Sequence, residues 1–351
     1  MKQASFLKKT LLFKQPAGTS RGVLTEKDVY YLLLKETKTQ AISGIGEIAP
    51  LPGLSPDAIP ELEKIISGLV DRINRNEEIR DEDLFDFPAV RFGYETALKG
   101  SFAGSPFLLY PSEFTTGKKG VPINGLIWMG TKDFMLRQVE EKLAAGFTCL
   151  KLKIGALDLE SEMDILRSIR KRFPAEQLEI RVDANGAFLP GNALGILEGL
   201  AKLNLHSIEQ PIKAGQLNSM KKLCRETPLP IVLDEELIGI TNLQEKKRLL
   251  EEIQPQYIIL KPTLTGGIQA SEEWISLAGS HGIGWWVTSA LESNIGLNAI
   301  AQWTATLETS NFQGLGTGAL FTNNIESPLF VSEGFIHYNP HLTWDLESMK
   351  K

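Results

Sequence analysis

The sequence has few cysteine and histidine residues, which build disulfide frameworks and most zinc sites. Only Cys149, Cys224 and four histidines occur in 351 residues. The two cysteines form no CxxC pair, and such spacing is typical of buried thiols in a protein that stays in a reducing cytosol. We therefore expect a cytoplasmic protein whose fold depends on its apolar core rather than on cross-links.

The sequence also lacks long apolar runs and an excess of basic charge. No stretch reaches the roughly 18 apolar residues of a membrane span. The net charge is −6, with 42% hydrophobic and 23% charged residues, which argues against a nucleic-acid partner and indicates an ordinary globular protein. The opening MKQASFLKKTLLF has too short an apolar run for a signal peptide, and we interpret it as a first strand.

Charged residues recur at near-even intervals through the second half of the chain. Lys153, Asp183, Glu209, Asp234 and Lys261 are separated by 30, 26, 25 and 27 residues. Each ends a short run rich in β-branched residues, and a stretch with helical periodicity follows each run. This alternation predicts a (β/α) barrel, whose catalytic groups lie at the C-terminal ends of its strands.

The first third of the chain does not follow this rhythm. Three strand-like runs up to about residue 50, with a loop at QPAGTSRG after the first, precede helical segments at 57–74 and 87–103. We predict an α+β capping domain over residues 1–118.

The remaining chain predicts a TIM-like (β/α)7β barrel over residues 119–320 and a C-terminal segment, 321–351, that returns to the capping domain. The tail reads as short strands. The predicted barrel strands lie near 121–128, 148–154, 178–184, 207–210, 230–234, 257–261, 284–290 and 313–318.

Several charged side chains fall on inward positions of these strands. Because alternate residues of a strand point to one side, Lys151 and Lys153 should both face the barrel interior, as should Arg181, Asp183 and Asn185. A buried charge without a partner costs about several kcal/mol. A functional site explains this set better than structure alone.

The three carboxylates predict a metal site made of oxygen ligands. Such ligands select Mg²⁺, with Mn²⁺ also possible, and leave coordination positions open for a substrate carboxylate. A metal-bound carboxylate has a removable α-proton because the resulting enediolate is stabilised, and Lys153 on the neighbouring strand is placed as the base. Glu235 and Glu236 follow the third carboxylate directly, either as its supporting residues or as a solvated helix start.

The pattern resembles the enolase superfamily and its muconate-lactonizing-enzyme subgroup. The shared features are the KxK at Lys151 and Lys153, the carboxylates that end strands three, four and five, and Lys261 on strand six. Within that subgroup, segments 46–55, 289–296 and 314–321 resemble the o-succinylbenzoate synthase family. This family dehydrates 2-succinyl-6-hydroxy-2,4-cyclohexadiene-1-carboxylate to 2-succinylbenzoate in menaquinone biosynthesis.

The resemblance implies a role for each matching residue. Asp183, Glu209 and Asp234 would bind the metal. Lys153 would act as base and then acid in a syn elimination, with Lys151 beside it and Lys261 on the opposite face of a small carboxylate substrate. The implied substrate contacts are Arg181, Asn185, Ser289, Glu292 and Gly316.

Two other functions remain open from the sequence. A racemase of N-acylamino acids, or a muconate-type cycloisomerase, could use the same pair of lysines on opposite faces of its substrate. A non-catalytic binding protein on a decayed barrel is disfavoured because all five strand-end side chains are intact. The chain has Ser289 where racemases of the mandelate type carry a histidine, and no DxD typical of dipeptide epimerases follows strand eight. The sequence predicts no oligomeric state.

Overall fold

The computed structural model describes residues 2–19, 22–155 and 157–350. It contains an antiparallel sheet at the N-terminal end, a parallel sheet of seven strands, and a small antiparallel sheet that includes the tail. No helix within these ranges is long and apolar enough to cross a membrane. The predicted fold class, a TIM-like barrel with an α+β cap, is confirmed.

The cap is a three-stranded meander covered by helices. Its elements are β1 (Lys2–Thr19), β2 (Gly22–Glu36), β3 (Ile42–Ile48), α1 (Leu62–Asn74) and α2 (Pro88–Ala103).

Helix α2 approaches β3 closely because glycines face each other at the contact. A Cβ added to Gly46 would lie 1.7 Å from the carbonyl oxygen of Gly93. The predicted loop at QPAGTSRG is wrong for its first part, since β1 continues to Thr19 after a register shift between Leu12 and Ala17. Proline is tolerated in that stretch because irregular edge strands do not need its missing N–H.

The barrel strands are parallel and follow one another in chain order across the sheet. They are β5 (Gly125–Ile127), β6 (Cys149–Lys153), β7 (Glu179–Asp183), β8 (Ser207–Glu209), β9 (Ile231–Leu233), β10 (Tyr257–Leu260) and β11 (Gly284–Val287). The helices are α3 (Lys132–Ala144), α4 (Leu159–Arg172), α5 (Pro190–Ala201), α6 (Leu217–Glu226), α7 (Leu243–Ile253), α8 (Pro262–Thr265), α9 (Gly267–Ser280) and α10 (Asn294–Thr304).

The first and eighth predicted barrel strands differ from expectation. The predicted strand 121–128 is two strands, because β4 (Val121–Pro122) pairs outside the barrel and only β5 joins it. The predicted strand 313–318 is reduced to Gln313 and Gly314, which bridge to Ile123 and Thr288. The glycine-rich sequence that follows has low strand propensity.

The tail contacts both parts of the molecule. Its strands, β12 (Leu329–Ser332) and β13 (Phe335–Tyr338), form a hairpin whose second strand pairs with β4. On the cap side, the Thr322 amide donates to the Leu12 carbonyl at 2.8 Å, and the Lys9 ammonium donates to the Ser348 carbonyl at 2.6 Å. The tail thus ties the cap to the barrel, while the domain boundaries at 118/119 and 320/321 stay predictions.

Candidate active site

Strand register brings the predicted site residues to one level at the C-terminal end of the barrel. Lys153 on β6 is opposite Asp183 on β7, and Asp183 is opposite Glu209 on β8. Asp234 directly follows β9, and Lys261 directly follows β10. Since parallel strands end at the same edge, five side chains that are far apart in sequence converge.

The lysines and carboxylates alternate in one buried chain of ion pairs. Lys153 Nζ lies 2.5 Å from Asp183 Oδ2, and Lys151 Nζ lies 3.0 Å from the same oxygen. Lys151 also pairs with Glu209. The chain continues through Lys261, whose ammonium lies 3.9 Å from Glu209 Oε1 and pairs with Asp234. All six side chains are buried.

The three lysines of this chain differ in the direction of their pKa shifts. Burial lowers the pKa of Lys153, and the neighbouring ammonium groups lower it further against the attraction of Asp183. Burial also acts on Lys151 and Lys261, but the adjacent carboxylates outweigh it and raise both pKa values. Lys153 is therefore the lysine of the three that gives up its proton most easily.

Two of the carboxylates, those of Asp183 and Glu209, also have pKa shifts in opposite directions. Lys151 and Lys153 outweigh the effect of burial on Asp183 and hold its pKa well below the usual value. Burial, followed by repulsion from Asp183, raises the pKa of Glu209 to about 8. Lys151 and Lys261 oppose this shift but do not outweigh burial.

Asn185 extends the site beyond Lys153. Its Oδ1 accepts a hydrogen bond from Lys153 Nζ at 2.9 Å, and its Nδ2 donates to Glu235 Oε1 at 3.1 Å. Glu236 is buried and accepts a hydrogen bond from the Gly215 amide at 3.0 Å. Glu235 therefore contacts the site through Asn185, whereas the contact of Glu236 is with the loop at Gly215.

Arg181 lies one layer deeper in the barrel, away from the pocket. Its Nε donates to Glu179 Oε1 at 2.6 Å, and its Nη1 donates to the Phe312 carbonyl at 2.9 Å. Its guanidinium carbon lies 4.0 Å from the centre of the Trp286 ring. The structure thus does not bring Arg181 to the substrate side, contrary to the contact implied by the sequence.

A pocket opens over the lysines, with about 690 Å³ of empty space when its solvent-filled mouth is included. Lys151, Lys153 and Lys261 line it together with Ser289 and Gly316. The sequence does not predict its apolar wall, although segment 46–55 of the cap resembles the o-succinylbenzoate synthase family. That wall consists of Leu51, Leu54, Leu126, Trp128, Ala290 and Leu291.

Ser289 and Glu292, which both follow β11, lie at different positions relative to this pocket. Ser289 Oγ lies 2.6 Å from Thr317 Oγ1 and on the pocket surface. Glu292 is fully buried behind the wall, where its Oε2 accepts a hydrogen bond from the Ala290 amide at 2.7 Å and its Oε1 pairs with the Thr263 hydroxyl. Glu292 therefore supports the wall and does not line the pocket.

The carboxylates suit a divalent cation by their chemistry. Among the described residues no three His, Cys, Asp or Glu side chains are grouped as a metal site, and lysine ammonium groups lie between the carboxylates instead. Asp183, Glu209 and Asp234 nevertheless provide three buried oxygen donors on adjoining strands, the type of ligand that Mg²⁺ prefers. A cation held by these oxygens would favour the ionised form of Glu209 and so oppose the rise in its pKa.

Residues 135–341 match the family model for the enolase C-terminal domain-like family, a superfamily whose enzymes use a divalent metal. The chain is 45% identical to o-succinylbenzoate synthase of Desulfotalea psychrophila, over 95% of this chain and 98% of that protein. The crystal structure of MenC from the same organism has a TM-score of 0.85 at 42% identity, covering 96% of this chain and 99% of that one. The L-amino acid-D/L-Glu epimerase of Sulfurimonas denitrificans is 28% identical over 54% of each chain.

Proposed function

This chain belongs to the enolase C-terminal domain-like family, and on that premise we propose that it is a lyase of menaquinone biosynthesis acting in the cytoplasm. It dehydrates 2-succinyl-6-hydroxy-2,4-cyclohexadiene-1-carboxylate to 2-succinylbenzoate. The 45% identity to an o-succinylbenzoate synthase over nearly the whole of both chains supports this reaction over others of the family.

The pocket has the surfaces that such a substrate needs. Its leucine and tryptophan wall suits a six-membered ring with a short side chain, and its floor carries three ammonium groups that attract carboxylates. The cap contributes Leu51 and Leu54 to the wall. Water is thereby kept from the ring, which strengthens each electrostatic interaction in the site.

We assign the metal to Asp183, Glu209 and Asp234, with Mg²⁺ preferred and Mn²⁺ as a substitute. When bound, the cation supplies electrostatic stabilisation of the negative charge that develops on the substrate carboxylate. Lys151 keeps its positive charge beside two of these carboxylates because they raise its pKa. It therefore stabilises the same developing charge without exchanging a proton.

Lys153 performs both proton transfers. Its neutral amine takes the proton from the ring carbon that bears the carboxylate, and the electron pair remains delocalised into that carboxylate. The resulting ammonium gives the proton to the hydroxyl on the neighbouring ring carbon as the carbon–oxygen bond breaks, and water leaves. Asn185 holds the Lys153 nitrogen in place through the 2.9 Å hydrogen bond, so one group can serve both steps on one face of the ring.

Lys261 enters the pocket from the other side of the carboxylates. Its raised pKa keeps it charged. Over the opposite face of the ring, a cation stabilises the delocalised anion, partly by a cation–π contact of about 0.5–2 kcal/mol.

The main support for the proposal is the alternating chain of lysines and carboxylates that lies beneath an apolar pocket. The test is direct. Purified protein with Mg²⁺ and the cyclohexadiene acid should remove the absorbance of the diene as the aromatic product forms. Failure to consume the diene acid at any metal concentration would refute the proposal.

A racemase or epimerase is the second candidate, because Lys153 and Lys261 both reach the pocket. Two lysines on opposite faces can exchange the α-proton of an N-acylamino acid. Efficient turnover of such substrates by a protein that leaves the diene acid untouched would establish this activity in place of dehydration.

A further inference from the structure

A lysine of the cap reaches across to the pocket wall. Lys27, on β2, is 1% exposed. Its ammonium donates hydrogen bonds to the carbonyl oxygens of Ala290 at 2.8 Å and Leu291 at 3.0 Å. Both acceptors belong to residues that line the pocket, so the cap contacts the wall by a buried charge as well as by apolar packing.

The next cap strand holds the end of the same loop. Glu47, on β3, is fully buried. It accepts hydrogen bonds from the Ser293 amide at 2.7 Å, the Ser293 hydroxyl at 2.5 Å and the Gly296 amide at 2.7 Å. These donors lie at the start of α10, where free amide groups favour a carboxylate. The beginning of this helix is therefore fixed by the cap.

The barrel holds the loop from the opposite side. Glu292 links the Ala290 amide to the Thr263 hydroxyl, and Thr263 is two residues after Lys261. The loop thus lies between the cap and the turn that carries one of the pocket lysines.

Leu291 has a backbone conformation that leucine rarely adopts. Its φ is 63°, in the left-handed region where a Cβ is unfavourable. Its side chain packs in the cluster that contains Leu51 and Ile295. Such strain persists only where the surroundings impose it, and it is common next to functional sites. The Leu291 carbonyl is one of the two acceptors that Lys27 binds.

We propose that Lys27 is a positioning residue for this enzyme: it holds Leu291 in the left-handed conformation and so sets the wall against which the substrate ring lies. This role rests on the dehydration proposed above. It requires that Lys27 act on substrate binding through Leu291, whereas a purely structural lysine would change stability alone.

The first experiment compares two buried lysines. Lys27→Met removes the ammonium but keeps most of the volume, and it should raise KM and lower kcat/KM about tenfold. Lys246→Met is the matched control, because Lys246 is also buried and bonds to the Ala270 carbonyl and Glu273 but lies outside the pocket. The control should lower Tm without moving KM. An unchanged KM in Lys27→Met would overturn the proposal.

The second experiment asks whether the effect passes through Leu291. Glycine adopts a positive φ without strain. In Leu291→Gly the backbone therefore does not need Lys27 to hold it in the left-handed conformation. In that background Lys27→Met should lower kcat/KM by about twofold or less, which a double-mutant cycle measures. An equal loss in both backgrounds would show that Lys27 acts elsewhere.

A third measurement does not depend on the reaction. Amide hydrogen exchange of residues 289–293 in the ligand-free protein should become at least about tenfold faster in Lys27→Met than in the parent or in Lys246→Met. Unchanged exchange would reject the positioning role even if dehydration is confirmed. Faster exchange in a protein that fails to dehydrate the diene acid would retain the positioning role and reject the reaction.

Discussion

Lys153 and Asp183 are opposite each other on adjacent strands, and the ammonium nitrogen of the lysine lies 2.5 Å from Oδ2 of the aspartate. The pair joins the residue proposed as base to a residue proposed as metal ligand. Burial, together with the neighbouring ammonium groups of Lys151 and Lys261, lowers the pKa of Lys153 despite this contact. In the proposed reaction, this one side-chain contact would couple proton transfer to metal binding.

Lys153→Ala should lower kcat by about a thousandfold, since general acid–base catalysis contributes ~10²–10⁴. Lys153→Arg should be nearly as inactive, because a guanidinium does not give up its proton at neutral pH. The measurement is the decay of diene absorbance, with product binding by calorimetry as the control for an intact pocket. Substantial activity in Lys153→Arg would transfer the role of base to another residue, with Lys151 the first to test.

Replacing Asp183 or Asp234 by Asn, or Glu209 by Gln, should reduce activity by several orders of magnitude. Each change removes a charge that holds the cation against a developing anion, an effect worth about several kcal/mol. Metal affinity measured by calorimetry should fall together with kcat. The parent protein should lose activity in EDTA and regain it with Mg²⁺, and full activity in the continued presence of chelator would contradict the metal assignment.

Variants of Lys261 distinguish dehydration from racemisation. A dehydratase needs its charge, so Lys261→Arg should retain measurably more dehydration than Lys261→Ala, although the larger guanidinium crowds the pocket. A racemase needs a second base, so any racemisation should vanish in both variants. Equal and complete loss of dehydration in both, with folding and metal binding verified, would count against a mainly electrostatic role.

Arg181→Met should lower the free energy of unfolding by about 2–4 kcal/mol, because it removes the ion pair with Glu179, the donor to the Phe312 carbonyl and the contact with Trp286. KM should change little, since the guanidinium points away from the pocket. Urea unfolding and steady-state kinetics on the same preparation test both statements. A large rise in KM with unchanged stability would instead support the substrate contact of Arg181 that the sequence implies.

Glu47 should make stability depend on pH. Burial raises its pKa from 4.5 to about 7, so its favourable contribution is complete below pH 4.5 and is lost as the pH rises through about 7. Relative to Glu47→Gln, the parent should therefore lose about 3 kcal/mol of unfolding free energy across this window. Urea unfolding at a series of pH values gives this difference, and a difference that stays flat or grows with pH would contradict the assignment.

The residues at the strand ends could be predicted from the sequence. How far a side chain lies below the pocket, inside the barrel, could not. Alternation places Arg181 and Asp183 on the same inner face, but it does not say that the guanidinium turns toward Trp286 while the carboxylate faces Lys153. Residues two apart on a strand differ by about 6.6 Å along the strand, and a long side chain can cover that distance in either direction.

The apolar wall of the pocket also could not be predicted from the sequence, because it depends on tertiary packing. Leu51 and Leu54 come from a cap loop, and their approach to Leu291 depends on how two parts of the chain pack, which no local pattern encodes. The eighth strand is shorter than predicted because pairing stops after Gln313 and Gly314, where the glycine-rich sequence has low strand propensity.

The short closure at Gln313 and Gly314 has a consequence for the order in which the molecule assembles. It joins Ile123 to Gln313, and these residues are separated by nearly the whole barrel sequence. Bringing such distant residues together costs chain entropy, and at this seam the Ile123–Gln313 bridge offsets little of it. We expect the other strands to associate first, the barrel to close last at this seam, and the same seam to separate first when the protein begins to unfold.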